Sequence, residues 1–446
     1  MDRQRWDEWL LVDLMHPGAR VIDAETGEVL NEEMISCAAG DIGDEAIVFL
    51  PMRTTVQAVA RYLAAVRAGK PVALLDPGLD NADLIKRFRT DQVHPELGLL
   101  LTTSGSTGRP KLVRLSAAAV LANAAQIADT LSITRRDVAI TTLPLFYSYG
   151  MSVLHSHLLR GATVVLHRSG IMNRSFWSAV SEHSVTSLAL VPHQYEMLRR
   201  LRFDPRKNPT LRALTQAGGQ LRAELVSEFA QLMNSAGGEF FVMYGQTEAA
   251  PRMATMPPGR LVGKLGSVGQ ALPGGSFSIV DGEVVYRGPN VMMGYADSAS
   301  DLIRGDEMGG VLHTGDLGRL DEEGFLFLTG RISRICKVHG VRLNLDGIER
   351  SFPVAALPGN DRIHVFVEIA GAAEVKKLHA QICEKFGLRS STVCMRILDA
   401  IPLLPNGKVD YRALASIEPE SLAEFESAAA FAAPGRGSSP PVPLGG

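Results

Sequence analysis

Four cysteines in 446 residues are too few for a disulfide framework. Cys37, Cys336, Cys383 and Cys394 stand far apart, with no Cys-X-X-Cys pair and no neighbouring histidine at zinc-site spacing. The expectation is a cytoplasmic protein whose thiols are reduced and mostly buried. Charge of one sign is lacking as well. Forty-five Lys and Arg against 48 Asp and Glu leave a formal charge of -3, which gives no footing for nucleic acid or an anionic membrane surface. No apolar run approaches the roughly 20 residues that span a bilayer. The first residues, Met1-Asp-Arg-Gln-Arg-Trp-Asp-Glu, hold charges and no continuous apolar stretch, so neither a signal peptide nor a membrane span is expected. There is no internal repeat. What remains is a chain with 46% hydrophobic residues, long enough for a large core and more than one domain.

One segment stands out against this ordinary background. Leu101-Thr-Thr-Ser-Gly-Ser-Thr-Gly-Arg-Pro-Lys111 puts hydroxyl residues, two glycines and a lysine behind the apolar run Leu97 to Leu101. Glycines allow several backbone N–H groups to converge on an oxyanion, the hydroxyls add donors, and Lys111 adds a mobile positive charge. The segment Ser116 to Leu131 reads as a helix behind a serine cap. The spacing is not Walker A: Pro110 precedes Lys111 and Leu112 follows it, where that motif needs glycine and Ser/Thr. A surface Gly/Ser/Thr linker is the competing reading, but apolar runs close to both ends place the segment in the body of a domain.

Candidate strands and helices alternate from Val56 to Met243. Val56, Val59, Leu63 and Val66 lie at helical spacing within 54–69, and a strand follows at Val72 to Leu75. Further short segments, among them 138–142, 163–166, 187–190, 211–215 and 240–243, predict a parallel sheet flanked by helices. Past Glu248 the pattern becomes hairpins. Phe277 to Tyr286 encloses Asp281-Gly282, and Leu317 to Leu328 encloses Asp321 to Gly324.

Beyond the first loop, Tyr244-Gly-Gln-Thr-Glu248, Gly288-Pro-Asn-Val-Met-Met-Gly-Tyr295 and His313-Thr-Gly-Asp316 follow in order. Gly330-Arg-Ile-Ser-Arg-Ile-Cys-Lys-Val-His-Gly-Val-Arg342 and Pro405-Asn-Gly-Lys408 complete the set. In type and order these six segments resemble the motifs of the adenylate-forming superfamily, which includes acyl-CoA synthetases, peptide-synthetase adenylation domains and luciferases. The resemblance covers about Leu97 to Leu414. It implies an α/β fold: a large N-terminal lobe of helix-flanked sheets with a β-rich subdomain over residues 1–331, and a small mobile α+β domain over 332–417. The Ala, Gly, Ser and Pro-rich residues 418–446 read as a disordered tail.

The same resemblance implies ATP-dependent activation of a small-molecule carboxylic acid as its adenylate, then transfer to a thiol. Thr103, Ser104, Gly105, Ser106, Thr107, Gly108 and Lys111 would hold the β- and γ-phosphates, Thr247 would contact phosphate, and Glu248 would take Mg2+. Tyr244 and Gly245, with Gln246, would border the adenine opposite Gly218, Gly219 and Gln220. Asp316 and Arg331 would hold the ribose. Lys408 would bridge carboxylate and α-phosphate. Each residue has a plainer reading. Glu248 suits a helix-start glutamate bonding backbone N–H groups, Tyr244 a core tyrosine, Asp316 a turn aspartate and Lys408 a solvated lysine.

Gly340 would let the arm of CoA, or of a phosphopantetheine carrier protein, pass close to backbone. Ser333 would be the hinge, where family members usually carry Asp or Lys, and the small domain looks abbreviated between Glu349 and Val365. Around the acid, Tyr147, Gly150, Met151, His193, Gln216 and Gly218 are the pocket candidates. Gly150 stands where amino-acid-activating relatives carry aspartate, which disfavours an α-amino acid, because a buried ammonium needs a counter-charge. An acyl-CoA synthetase is the leading expectation. An acyl-AMP ligase serving a carrier protein or an amine is the alternative, and a degenerate, non-catalytic adenylate-binding protein the remote one.

Overall fold

A computed structural model describes residues 14–103, 111–338, 341–368, 371–405, 407–417 and 423–424. The chain divides into two compact units: Met1–Ile332 together with Leu404–Lys408, and Ser333–Leu403 together with the remainder.

In the larger unit, an eight-stranded sheet among the described residues runs in the order Arg20–Asp23, Thr163–Leu166, Val138–Ile140, Ser187–Leu190, Ala213–Gln216, Glu239–Gly245, Arg252–Thr255, Gln270–Ala271. The first six strands are parallel, and the last two turn back antiparallel. The alternation of short apolar strands and helices foretold this layer. The β-branched and leucine-rich strands are buried almost throughout, as a sheet with both faces covered requires.

A second sheet orders Gly294–Ala296, Lys111–Ser116, Leu97–Thr103, Val72–Leu75 and Val48–Pro51. The structure adds a strand to which the sequence reading assigns no element. Leu97–Thr103 pairs antiparallel with a further strand, Lys111–Ser116. The helix begins only afterwards, at Ala117, capped as expected by Ser116, whose Oγ accepts from Ala119 N at 3.1 Å. The helix expected over 54–69 is Val56–Arg67, capped by Thr55.

The third sheet, Ser276–Val280, Glu283–Arg287, Val311–Leu320 and Leu326–Arg331, contains both expected hairpins. Asp281 and Gly282 have φ of 50° and 84°, the two left-handed residues of a tight hairpin turn. The second hairpin is longer than its sequence signal. Its strands reach Asp316 and Arg331, which lie opposite one another in register.

The smaller unit pairs Ile335–Val338 with Val341–Asn344 and builds a four-stranded sheet from Ala355–Pro358, Ile363–Val367, Val393–Ile397 and Ala423–Glu424. The helices Leu345–Ser351 and Ala372–Phe386 lend Ile348, Val375, Leu378 and Ile382 to a core with Val365, Val367 and Met395. A core therefore forms despite the shortened stretch after Glu349. Within the expected tail, Ala423–Glu424 is a short strand paired with Arg396 and Ile397; the rest of 418–446 lies outside the described residues. The cysteines depart from expectation: all are free, but Cys37 is exposed and the other three are half-buried. Among the described residues no helix is long and apolar enough to cross a membrane.

Candidate active site

The site grows from the end of the strand Glu239–Gly245. Tyr244 and Gly245 are its last residues, and the chain turns at once through Thr247–Ala249 into Arg252–Thr255. Gly245 is required by close approach: a Cβ there would sit 2.0 Å from the Pro251 carbonyl oxygen. Gln246 N closes the turn by donating to that oxygen at 2.8 Å. Gly245→Ala is expected to lower unfolding free energy by about 1–3 kcal/mol, the cost of overpacking a tight site, read from chemical denaturation.

Tyr244 points its hydroxyl at Asp316, donating to Oδ2 at 2.5 Å. Gln246 Nε2 donates to the same oxygen at 2.7 Å and to Thr314 O at 2.8 Å. Arg331 Nε donates to Oδ1 at 2.9 Å, across the strand pair that sets the two residues opposite. Asp316 is only 3% exposed, so it is a buried carboxylate gathering three side-chain donors from two motifs. Burial, and next the negative charge of Asp316, push the Tyr244 phenol far above its ordinary pKa, so it stays a donor. Its ring is buried in the main core and tilted against Phe277 at 6.3 Å. The plainer reading, a core tyrosine, thus describes its ring.

Glu248 is half-buried in the turn. Its Oε1 accepts from Tyr295 OH at 2.8 Å, a side-chain partner where the helix-start reading expected backbone N–H. Tyr295 reaches it because Gly294–Ala296 pairs with Lys111–Ser116, which also sets Lys111 Nζ 5.9 Å from the Tyr295 ring and 3.4 Å from Asp297 Oδ2. Thr103 pairs with Lys111 at the mouth of the hairpin. Thr247 Oγ1 lies 3.1 Å from Ser148 Oγ. Ser104, Gly105, Ser106, Thr107, Gly108 and Gly340 lie outside the described residues.

Lys408 Nζ sits 6.0 Å from the Tyr147 ring centroid. Burial of the ammonium and then the Arg331 charge press its pKa down to about 8, with Glu248 and Asp316 acting in the opposite sense. Water still reaches Lys408, which tempers the burial contribution, whereas the Arg331 charge acts in either case. Tyr147 is pushed up to about 12, chiefly by burial. Gly218, at φ 83°, packs against it: a Cβ there would lie 2.9 Å from Tyr147 OH. Gln216 ends its strand and donates to Gly219 O at 2.6 Å, while Gly219 and Gln220 are exposed.

Two pocket candidates, Gly150 and Met151, are set into backbone or core packing. A Cβ on Gly150 would lie 2.2 Å from Pro144 O, so this glycine serves helix-to-turn packing and its side-chain direction is blocked by backbone. Met151 packs with Leu154 and Leu158 in the main core. His193 is half-buried near the start of the helix Pro192–Arg200. The helix face toward the strands carries Tyr149, which the sequence reading passed over, as it did Ser148, Asp297 and Arg252. Tyr149 OH meets Thr215 Oγ1 at 2.8 Å.

Residues 88–296 match the model of the AMP-binding enzyme family. The chain is 35% identical over 259 residues to indoleacetate–CoA ligase of Aromatoleum aromaticum, covering 54% of this chain and 49% of that protein. It is 32% identical over 260 residues to 2-succinylbenzoate–CoA ligase of Bacillus pumilus, covering 56% and 52%. The chain thus spans about half the length of these curated relatives. The solved o-succinylbenzoate CoA synthetase of Bacillus subtilis, in complex with its acyl-adenylate, has a TM-score of 0.72 at 22% identity, covering 89% of this chain and 95% of that one. That likeness is one of fold. Within residues 88–296 the chain is similar to the AMP-binding enzyme family.

Proposed function

We propose that the chain activates a carboxylic acid with ATP and passes the acyl group to the thiol of CoA, as an AMP-forming acyl-CoA synthetase. The observation that carries this reading is the convergence of Tyr244, Gln246 and Arg331 on the buried Asp316, in the same compact unit as Lys408. A carboxylate has about four lone-pair sites. Asp316 therefore retains capacity to accept from ribose hydroxyls while its present donors fix its orientation. The ligase names of the curated relatives support the same assignment.

In the first half-reaction a carboxylate oxygen of the acid attacks the α-phosphorus, the bond to the β-phosphate breaks, and pyrophosphate leaves. An anion must approach a polyanion, so the site's task is to place positive charge and donors where negative charge gathers. Lys408 sets its ammonium between carboxylate and α-phosphate. Arg331 and Asp316 hold the ribose, and Thr247 with Ser148 offers hydroxyls to phosphate. Lys111 and the 103–108 backbone take the terminal phosphates.

Among the described residues no three His, Cys, Asp or Glu side chains cluster to hold a metal. A single carboxylate, Glu248, fits a magnesium ion bound mainly through phosphate oxygens and water. When bound, that ion neutralises phosphate charge; Tyr295 orients the Glu248 carboxylate for it. In the second half-reaction a thiolate attacks the acyl carbonyl and AMP departs.

The test is pyrophosphate release from ATP and magnesium over aliphatic, aryl and amino acids, with and without CoA. Release that becomes catalytic only with CoA supports the proposal. Adenylate formation indifferent to CoA moves the acceptor to a carrier protein or an amine. Nucleotide binding with no release for any acid sinks the enzymatic reading.

A further inference from the structure

Behind Tyr149 lies a narrow, mostly apolar cavity bordered by Ser152, His157, Thr215, Met243 and Arg252. Arg252 is among the largest fully buried side chains of the protein. Its backbone is pinned: Asn123 receives its N–H at 3.0 Å and donates to its carbonyl at 2.7 Å, and Asn290 donates to the same carbonyl at 2.8 Å. The guanidinium, by contrast, lacks a counter-charge among the described residues. It donates one N–H to Met243 Sδ and lies 5.0 Å from the Tyr149 ring.

Arg114, likewise fully buried, shows the contrast. It holds Glu307 and the carbonyls of Met293, Arg304 and Gly305. Arginine keeps its charge in proteins, and an isolated buried charge is strongly unfavourable. Tyr147 and Tyr149 cannot balance it at neutral pH, because burial pushes both phenols upward.

A second unfilled group faces the same cavity. His157 Nδ1 is 2.8 Å from Val153 O and so carries the ring proton; its Nε2 is buried without a partner among the described residues. A narrow, mostly apolar cavity with one spare cation and one spare acceptor suits the charged end of an occupant.

The cavity adjoins the proposed chemistry through a short run of contacts. Lys408 lies 6.0 Å from the Tyr147 ring, Tyr147 lies 6.4 Å from Tyr149 edge to face, and Tyr149 lies 5.0 Å from Arg252. Resting on the reading of the chain as an acid-activating enzyme, we propose that Arg252 recognises a second carboxylate at the far end of the acid, so that the substrate is a dicarboxylic acid. One carboxylate is presented to Lys408 for activation, and the other forms the missing ion pair. Ser152, together with water bridged to His157, completes its surroundings.

The test compares the linear diacids from succinate to sebacate, and terephthalate, each with its monomethyl ester. The ester keeps the length and one carboxylate and loses the other. In pyrophosphate release by the wild-type protein, at least one diacid is expected to exceed its ester about tenfold or more in kcat/KM. Arg252→Met should lower that diacid's kcat/KM about 100-fold, mainly through KM, and leave the ester equal or better; Arg252→Lys should recover part of the loss. Equal use of diacids and esters by wild type, or an Arg252→Met loss shared by both, would overturn the proposal and leave Arg252 a packing residue.

Binding of the same pairs by calorimetry, in the presence of a non-hydrolysable ATP analogue, separates this inference from the enzymatic reading. If no acid releases pyrophosphate, selective diacid binding still supports the subsite, and its absence rejects it. Should Arg252→Met fail to fold, the wild-type comparison and Arg252→Lys decide.

Discussion

Lys408→Ala is expected to reduce acid-dependent ATP–pyrophosphate exchange by about 10²–10³-fold, the range for removing one preorganised group that stabilises transition-state charge. The protein should remain folded, since Lys408 is water-accessible on the short Leu404–Lys408 segment and surface changes away from tight packing usually shift stability by about 0.5 kcal/mol or less. Nucleotide affinity should change little, because the ribose anchors Asp316 and Arg331 stay in place. Exchange near the wild-type rate, for an acid the native enzyme accepts, would remove Lys408 from the mechanism.

The pH dependence sharpens that result. With the ammonium pressed toward about 8 by burial and by Arg331, the active, protonated form is lost as pH rises through that value. Adenylation should therefore be flat below it and fall about tenfold per pH unit above it. In Lys408→Arg the guanidinium stays charged, so this alkaline fall should vanish even where the absolute rate is low. A wild-type profile level to pH 10 would show that the ammonium is not the titrating group.

Part of this architecture is legible in the chain alone. Local chemistry was legible: the Ser116 cap, the Asp281-Gly282 turn and the short buried strands all follow from neighbours in sequence. Pairings across long separations were not. Nothing local marks Lys111–Ser116 as a strand; it exists through Leu97–Thr103 on one side and Gly294–Ala296 on the other. The helix Ser148–Leu159 is buried on nearly every side, so its sequence has no polar stripe to tell which face meets the cavity. Met151, a candidate from sequence, packs in the main core, while Tyr149 borders the cavity. Arg252 carries no signal in the sequence because what distinguishes it is the lack of a counter-charge among the described residues, and ion pairing is a property of packing.

The Asp316–Arg331 pair has the same origin in register, and it supports the second large effect. Asp316→Asn keeps the volume and replaces one acceptor oxygen by a donor. Tyr244 OH can reverse and accept from the new amide, but Gln246 Nε2 and Arg331 Nε cannot, so at least one buried donor pair is set donor against donor. Loss of hydrogen bonds to a buried charged group costs about 1.5–3 kcal/mol. The lower half of that range applies to the Arg331 contact, because the Arg331 side chain is 54% exposed and water replaces the carboxylate there. ATP affinity is therefore expected to fall about 10–150-fold.

The same measurement with 2′,3′-dideoxy-ATP isolates the reason. If Asp316 accepts from ribose hydroxyls, wild type should bind the dideoxy nucleotide weakly, and Asp316→Asn should add little further loss. If the substitution weakens both nucleotides by the same factor, Asp316 acts only by holding Tyr244, Gln246 and Arg331 together. The ribose contact would then have to come from Arg331 itself, whose exposed guanidinium is the remaining donor on that wall of the site.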